Sequence, residues 1–293
     1  MASKLNRRSA IKDLIAGTAT LAAGSSLTSF TTSKMESVAL KGNINHSVCR
    51  WCYNEFSVEE LCAAAKKIGI KGIDLVGPKD WPTLKKYGLD SPMCNGAEIS
   101  LTEGFNNKKY HETLVKNYSE MIPLVAKAGY TNLICFSGSR EGMDNETGWN
   151  NCVEGLKKVI GLAEKHKVVL VMELLNSKVN HKDYQCDRTS WGAELAKRLG
   201  SQNFKLLYDI YHMQIDEGDV IRNINDYHQY INHYHTGGVP GRNEIDDTQE
   251  LYYPAIMRAI LKTGFKGYVA QEFIPLKKDK IASLKNAIEI CDV

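Results

Sequence analysis

Apolar runs of strand length alternate with helical segments from about residue 43 to the end of the sequence. In the helical segments, apolar residues recur every three to four positions, as one buried helix face requires. The expected strands span residues 44–49, 72–76, 93–99, 132–136, 168–174, 205–210, 230–235 and 268–273. The expected helices lie near residues 57–68, 81–87, 111–128, 148–165, 190–199, 219–228, 251–263 and 279–291. Regular alternation of this kind indicates a parallel sheet covered by helices.

The same junction joins a helix to the next strand at three places. At Gly69, Gly129 and Gly264, a glycine closes the helix, and an apolar residue and two turn residues lead into the strand. Glycine suits this position because the residue after a helix often has a left-handed conformation. Repetition of one strand–helix unit predicts a single-domain (β/α)₈ TIM barrel over residues 43–293. An open doubly wound sheet is the alternative, although no glycine-rich nucleotide loop follows the first strand.

The first 33 residues form a separate segment without a core pattern. Arg7 and Arg8 precede a weakly apolar stretch at residues 14–23, and small residues follow at 24–33. This order resembles a twin-arginine export signal, so we expect a protein exported to the periplasm. The apolar stretch is too short for stable insertion into a membrane. A disordered basic tail is the alternative.

The charge and the cysteines of the sequence argue against two kinds of function, nucleic-acid binding and thiol redox chemistry. Without residues 1–23 the chain has 33 basic and 33 acidic side chains, so no positive surface for nucleic acid is expected. Four of the eight cysteines, Cys62, Cys94, Cys135 and Cys152, lie in apolar patterns, where a free thiol behaves as a small hydrophobic side chain. The Cys49-Arg50-Trp51-Cys52 motif lacks the helix amino terminus that activates a redox thiol. We therefore expect core or rim cysteines rather than a redox pair.

Four consecutive predicted strands end in a side chain that can bind a metal. Glu173 ends the fifth strand, Asp209 the sixth, His235 the seventh and Glu272 the eighth. In such barrels the active site is built at the carboxyl ends of the strands, so these side chains should meet at one level. Three buried carboxylates would repel one another unless a cation balanced them. Oxygen-rich ligation with one imidazole favours Mn²⁺, with Mg²⁺ or Co²⁺ as alternatives.

Two further side chains follow these strand ends. His212 lies three residues beyond Asp209, and Arg242 lies on a glycine- and proline-containing loop beyond His235. An arginine in this position can bind a carboxylate or phosphate through two hydrogen bonds. A solvated loop arginine is the simpler interpretation of Arg242 by itself.

The strand ends also carry longer motifs. These are Glu173-Leu174-Leu175-Asn176, Asp209-x-x-His212, His235 with Val239-Pro240-Gly241-Arg242-Asn243-Glu244, and Glu272-Phe273-x-Pro275. With them, the sequence resembles the xylose isomerase-like TIM barrels from about Asn43 onward. Within that family, hydroxypyruvate isomerases are most similar and ketose 3-epimerases come next. Position 235 is histidine, as in the epimerases, whereas hydroxypyruvate isomerases usually have glutamine there.

The resemblance implies roles for six residues. Glu173, Asp209, His235 and Glu272 would bind one divalent metal ion. Glu173 and Glu272 would also form the acid/base pair, and His212 and Arg242 would hold the substrate. The implied enzyme is an isomerase that moves a proton through an enediolate of a small hydroxy-carbonyl compound or sugar.

Several alternatives stay open on the sequence. Returning the proton to the neighbouring carbon gives an isomerisation, as from hydroxypyruvate, and returning it to the other face of the same carbon gives a ketose 3-epimerase. A non-catalytic periplasmic carbohydrate-binding barrel is a second class. A multi-metal nuclease is disfavoured because only His46 and His111 fall in the first four strand–helix units. Assembly into a homo-oligomer is left open.

Overall fold

The computed structural model describes residues 39–293, and the predicted export signal at residues 1–33 lies outside this range. One parallel sheet of seven strands runs in the spatial order β2-β1-β7-β6-β5-β4-β3. The strands are β1 (Asn45–Cys49), β2 (Gly72–Asp74), β3 (Asn132–Cys135), β4 (Val169–Glu173), β5 (Phe204–Asp209), β6 (Ile231–Thr236) and β7 (Tyr268–Gln271).

A short irregular segment joins the two edges of this sheet. Gly72 and Val76 form parallel bridges to Asp90 and Cys94, and Cys94 also bridges to Leu133 of β3. The segment takes the place of an eighth strand, which gives a TIM-barrel-like fold and confirms the predicted class. The predicted regular strand at 93–99 is wrong. Pro92 has no N–H for a strand ladder, and Gly96 has a φ of 109°, outside the extended region.

Nine helices are assigned within the described range. They are α1 (Val58–Ile68), α2 (Trp81–Lys86), α3 (His111–Ala128), α4 (Asn145–His166), α5 (Thr189–Leu199), α6 (Ile210–Asp216), α7 (Val220–Tyr227), α8 (Tyr253–Lys262) and α9 (Lys280–Cys291). Gly69 and Gly129 close α1 and α3 with φ values of 92° and 84°, as the repeated junction predicts. None of these helices combines the length and apolarity that a membrane crossing needs.

Strand register and strand ends position the site. The pairing of β5 with β6 shifts between Leu206 and Leu207, and beyond this irregularity Asp209 lies directly opposite His235. Bulges of this kind often re-aim side chains beside functional sites. All eight cysteines are buried and unpaired, which agrees with the expectation of core thiols.

Candidate active site

The four predicted metal ligands lie together at the carboxyl ends of their strands. Glu173 and Asp209 are the last residues of β4 and β5, His235 lies near the end of β6, and Glu272 directly follows β7. One nitrogen or oxygen atom from each side chain lies within 4.8 Å of the others. All four residues are buried. The barrel therefore brings three carboxylates and one imidazole to one place.

Two basic side chains contact these carboxylates. Nδ1 of His235 is 2.9 Å from Oε2 of Glu272 and 3.6 Å from Oε1 of Glu173. Nη2 of Arg242 is 2.7 Å from Oε2 of Glu272 and 3.3 Å from Oδ2 of Asp209. Glu272 is thus the most strongly paired carboxylate of the cluster.

The environment shifts the carboxyl pKa values in different directions. Burial raises the pKa of Glu173 and raises that of Asp209 well above its usual range. Burial opposes ionisation of Glu272 as well, but the charges of His235 and Arg242 outweigh it and hold its pKa well below the usual range. Neighbouring carboxyl groups with separated pKa values are typical of acid/base pairs.

The cluster fits a divalent cation. Carboxylate oxygens and a neutral imidazole suit Mn²⁺, Mg²⁺ or Co²⁺, and the short separations allow one ion to reach all four side chains. A cation would also relieve the repulsion among three buried carboxylates.

His212 is held behind the cluster rather than at its surface. It is the third residue of α6, and the side chain of Asp209, which caps this helix, accepts a hydrogen bond from the backbone N–H of His212. Nε2 of His212 lies 3.7 Å from Oδ2 of Asp209, and its Nδ1 accepts a hydrogen bond from Nδ2 of Asn176 at 2.6 Å. Burial and then the charge of Arg242 lower the pKa of His212 well below its usual value, so the ring is neutral at pH 7.

The loop that carries Arg242 is held by contacts on both sides. Arg242 has a φ of 58°, and its carbonyl accepts a hydrogen bond from the N–H of Ile274. The guanidinium lies 5.1 Å from the ring centre of Trp51 and 5.3 Å from that of Tyr211. Glu244, which is buried, accepts hydrogen bonds from the backbone N–H groups of Leu276 and Lys277 and from the Ser283 hydroxyl.

A cavity of about 370 Å³ opens onto the cluster. Glu173, Arg242 and Glu272 line it, whereas Asp209, His235 and His212 do not. Five further lining residues have polar atoms: Trp51, Asn95, Glu98, Ser100 and His181. The remaining six are apolar: Leu75, Ile99, Leu101, Ile134, Phe136 and Leu175. A cavity of this size suits a small organic molecule.

Sequence reasoning missed all five of these further polar residues of the lining. Trp51 follows β1, and its Nε1 donates a hydrogen bond of 2.7 Å to Oε1 of Glu272. Its place just after a strand end is a signal that the sequence offers, as it does for Glu272. His181 lies in an irregular loop without a periodic pattern, and Glu98 lies in the irregular segment that was predicted as a strand at 93–99.

The chain is similar to known proteins both in sequence and in structure. Residues 62–289 match the family model described as xylose isomerase-like TIM barrel. A Mus musculus protein named as a hydroxypyruvate isomerase is 28% identical over 231 residues, covering 77% of each chain. The D-psicose 3-epimerase of Ruminiclostridium cellulolyticum is 28% identical over 226 residues, which cover 75% of this chain and 69% of that protein. The human protein of the same name as the mouse relative matches over only 44% of its length.

Solved structures agree on the fold. D-psicose 3-epimerase with D-tagatose from Clostridium cellulolyticum superposes with a TM-score of 0.71 at 15% identity, covering 85% of this chain and 98% of that one. The IOLI protein with a bound zinc atom superposes with a TM-score of 0.65 at 14% identity, covering 85% and 95%. The match to the family model spans most of the barrel, and this chain belongs to the xylose isomerase-like TIM barrel family.

Proposed function

We propose that this protein is a metal-dependent isomerase that moves a proton within a small hydroxy-carbonyl substrate. The observation that carries the proposal is the cluster of Glu173, Asp209, His235 and Glu272, two of whose carboxylates line a cavity. Of the two relatives described above that align over most of this chain, one is named an isomerase and the other an epimerase. Both kinds of reaction need proton transfer at a carbon beside a carbonyl group.

The four clustered residues would hold one divalent cation, with Mn²⁺ favoured over Mg²⁺ or Co²⁺. When bound, the cation would supply positive charge against the negative charge that develops on the carbonyl and hydroxyl oxygens of the substrate. A structural neighbour, the IOLI protein, was solved with a bound zinc atom, which supports a metal ion in a protein of this fold.

Glu272 and Glu173 have the properties of a base and an acid. Glu272 is kept ionised by His235 and Arg242, so its carboxylate can take the proton from carbon. Glu173 has a raised pKa and lines the same cavity, so its carboxyl group can return a proton. Trp51 fixes Oε1 of Glu272 by a hydrogen bond and leaves the glutamate little rotational freedom.

Hydroxypyruvate is the first substrate to test. The mouse relative is named for it, and Arg242 lines the cavity where it could bind the substrate carboxylate. One observation favours a neutral ketose instead. Glu98 adds a further carboxylate to the lining, and Arg242 is already shared by Glu272 and Asp209. A 3-epimerase acting on a free ketose is therefore the second candidate.

Solvent deuterium incorporation tests the proposal. The protein, loaded with Mn²⁺ in D₂O, is incubated with hydroxypyruvate and with a panel of free ketoses, and exchange at carbon is followed by NMR. Incorporation that requires the metal and is lost in Glu272→Gln supports the isomerase. A carbohydrate-binding barrel without catalysis would bind a sugar in this assay and incorporate no deuterium.

A further inference from the structure

A second polar group lies inside the barrel beneath the cluster. Asp74 is at the end of β2, and His233 and His235 project from β6 on the same side because they are two residues apart. β1 and β7 lie between β2 and β6 in the sheet, so the contact crosses the barrel interior. All three side chains have no measurable exposure to solvent.

His235 is placed between the two groups. Its Nδ1 faces Glu272 and Glu173, and its Nε2 lies 3.5 Å from Oδ2 of Asp74. The same Asp74 oxygen is 2.5 Å from Nε2 of His233. Both ion pairs that Asp74 makes within residues 39–293 are thus with imidazoles.

We infer that Asp74 is a positioning residue for His235. In the metal-loaded protein its carboxylate, which lies 3.5 Å from Nε2 in the structure, would accept the Nε2–H of His235, and the Nδ1 lone pair would then be available to the cation. The hydrogen bond on one ring nitrogen decides which tautomer a histidine has, and a carboxylate partner makes the other nitrogen a better ligand. This inference rests on the proposed metal site, because the Nδ1 lone pair would coordinate the cation bound there.

The burial of Asp74 supports this role. A carboxylate wholly inside a barrel is costly, and an apolar side chain of similar size would often stabilise the fold as well or better. The role of Asp74 would then be to orient His235 and fix its tautomer, and not to stabilise the fold. One competing partner is present, since Sγ of Cys49 lies 3.7 Å from the same Nε2 atom.

Two variants separate Asp74 from Cys49. Asp74→Asn removes the charge at nearly constant volume, and Cys49→Ala removes the competing acceptor. Mn²⁺ affinity is measured by calorimetric titration of the metal-free proteins, and the melting temperature of each metal-free protein reports on folding. We expect Asp74→Asn to bind Mn²⁺ about 10–100-fold more weakly than the wild type, and Cys49→Ala to stay within about threefold. Equal affinities in Asp74→Asn and the wild type would overturn the inference, as would an equal or larger loss in Cys49→Ala.

A spectroscopic measurement covers the case in which Asp74→Asn does not fold. In wild-type protein loaded with diamagnetic Zn²⁺, ¹⁵N NMR should show His235 with a proton on Nε2 and none on Nδ1. The opposite tautomer would overturn the assignment. A wild-type protein that binds neither Mn²⁺ nor Zn²⁺ would remove the proposed metal site itself, whereas normal wild-type binding with unchanged Asp74→Asn affinity rejects only the role of Asp74.

Discussion

Glu173 and Glu272 face the same cavity in opposite electrostatic environments. Glu272 accepts hydrogen bonds from Arg242 and Trp51 and lies 2.9 Å from Nδ1 of His235, whereas the nearest basic atom to Glu173 is the same Nδ1 at 3.6 Å. Two glutamates can therefore perform different steps, because their neighbours give the two carboxyl groups different pKa values.

Replacing either glutamate with glutamine tests this division of roles. Glutamine keeps the volume and one oxygen ligand but cannot accept or return a proton as a carboxylate does. We expect turnover by Glu173→Gln or Glu272→Gln to fall by roughly 10²–10⁴-fold, with metal binding only partly weakened. The double variant should be little worse than the worse single one, since residues that act as a unit are not additive. Full recovery of Glu272→Gln with excess Mn²⁺ would falsify its acid/base role and leave it as a ligand.

Asp209 and His235 do not line the cavity, so their replacement should affect the metal before it affects substrate contacts. We expect Asp209→Asn and His235→Ala to lose metal and to melt at a lower temperature in Mn²⁺, because an ion bound only to the folded state stabilises it. Elemental analysis and melting curves measure both effects. Asp216→Asn, which removes another buried carboxylate, is the control and should keep its metal. A full metal content in both ligand variants would contradict the assignment.

The sequence predicted these four residues because each belongs to a strand end, and one rule about barrels places all strand ends together. Asp74 also ends a strand, but its contact with His235 depends on side chains that cross the barrel. No local pattern encodes that contact. Trp51 and His181 were not predicted for a similar reason. Trp51 lies in a short 3₁₀ helix (Arg50–Tyr53) and His181 in a loop, and neither segment has a periodic pattern.

At the scale of structural elements, two segments carry the charged residues Arg242 and Glu272 that line the cavity. The loop after β6 carries Arg242, and the segment after β7 carries Glu272 and continues to Ile274 and Leu276. Glu244 joins them, since its carboxylate accepts hydrogen bonds from the N–H groups of Leu276 and Lys277. The position of Arg242 relative to Glu272 therefore depends on a residue that does not line the cavity.

Glu244→Gln should loosen this connection. An amide nitrogen cannot accept the hydrogen bonds that one carboxylate oxygen now accepts from part-buried backbone N–H groups and from the buried Ser283 hydroxyl. Their loss should cost about 1–3 kcal/mol in unfolding free energy. Misplacement of Arg242 should also lower kcat/KM about tenfold or more. Unfolding curves and steady-state kinetics measure the two effects. Glu250→Gln in the same loop is exposed and should behave as the wild type. Similar kinetics for the two variants would show that Glu244 does not position Arg242.

The elements that were predicted wrongly show where local pattern is insufficient. The segment at 93–99 has the apolar residues of a strand, but Pro92 and Gly96 prevent a regular ladder. Isolated bridges at Asp90 and Cys94 close the barrel instead. Helix α6 was missed because it is seven residues long and begins at Asp209, which serves at once as a strand end and as a helix cap. Long elements with a sustained apolar period, such as α3 and α4, were placed within a few residues.

At the scale of the whole molecule, export remains a prediction from the sequence of residues 1–33. Replacing both Arg7 and Arg8 with lysine conserves charge but removes the paired arginines that a twin-arginine signal requires. We expect this variant to stay in the cytoplasm with its leader intact, whereas the wild type is recovered from the periplasm. Cell fractionation with detection of the chain by mass measures both. Lys4→Arg with Lys12→Arg is the matched control. Equal periplasmic recovery of both variants would count against this route.

His46 makes the stability of the whole barrel depend on pH. It lies in β1, is 1% exposed, and its Nε2 is 3.8 Å from Oδ1 of Asp292 beyond α9. Burial lowers the pKa of His46 from 6.5 to about 4, despite the opposing effect of Asp292. The unfolded chain therefore takes up the proton first as the pH falls. The stabilisation is complete above about pH 6.5 and is lost as the pH falls toward 4, an effect of at most about 3 kcal/mol.

The His46→Gln variant isolates this contribution. Urea unfolding at several pH values gives the free energy of unfolding of wild type and variant, and the difference between them removes all other titrating groups. That difference should shift against the wild type by up to about 3 kcal/mol between pH 7.5 and pH 4, because only the wild type has a buried imidazole at this position to protonate. The exposed His228 provides the control, and His228→Gln should give a difference that changes little over the same range.

A constant difference for His46→Gln would mean that His46 titrates alike in the folded and unfolded chains. The acid sensitivity of the barrel would then arise from its other buried groups, of which the carboxylates at the opposite end of the strands are the first to test.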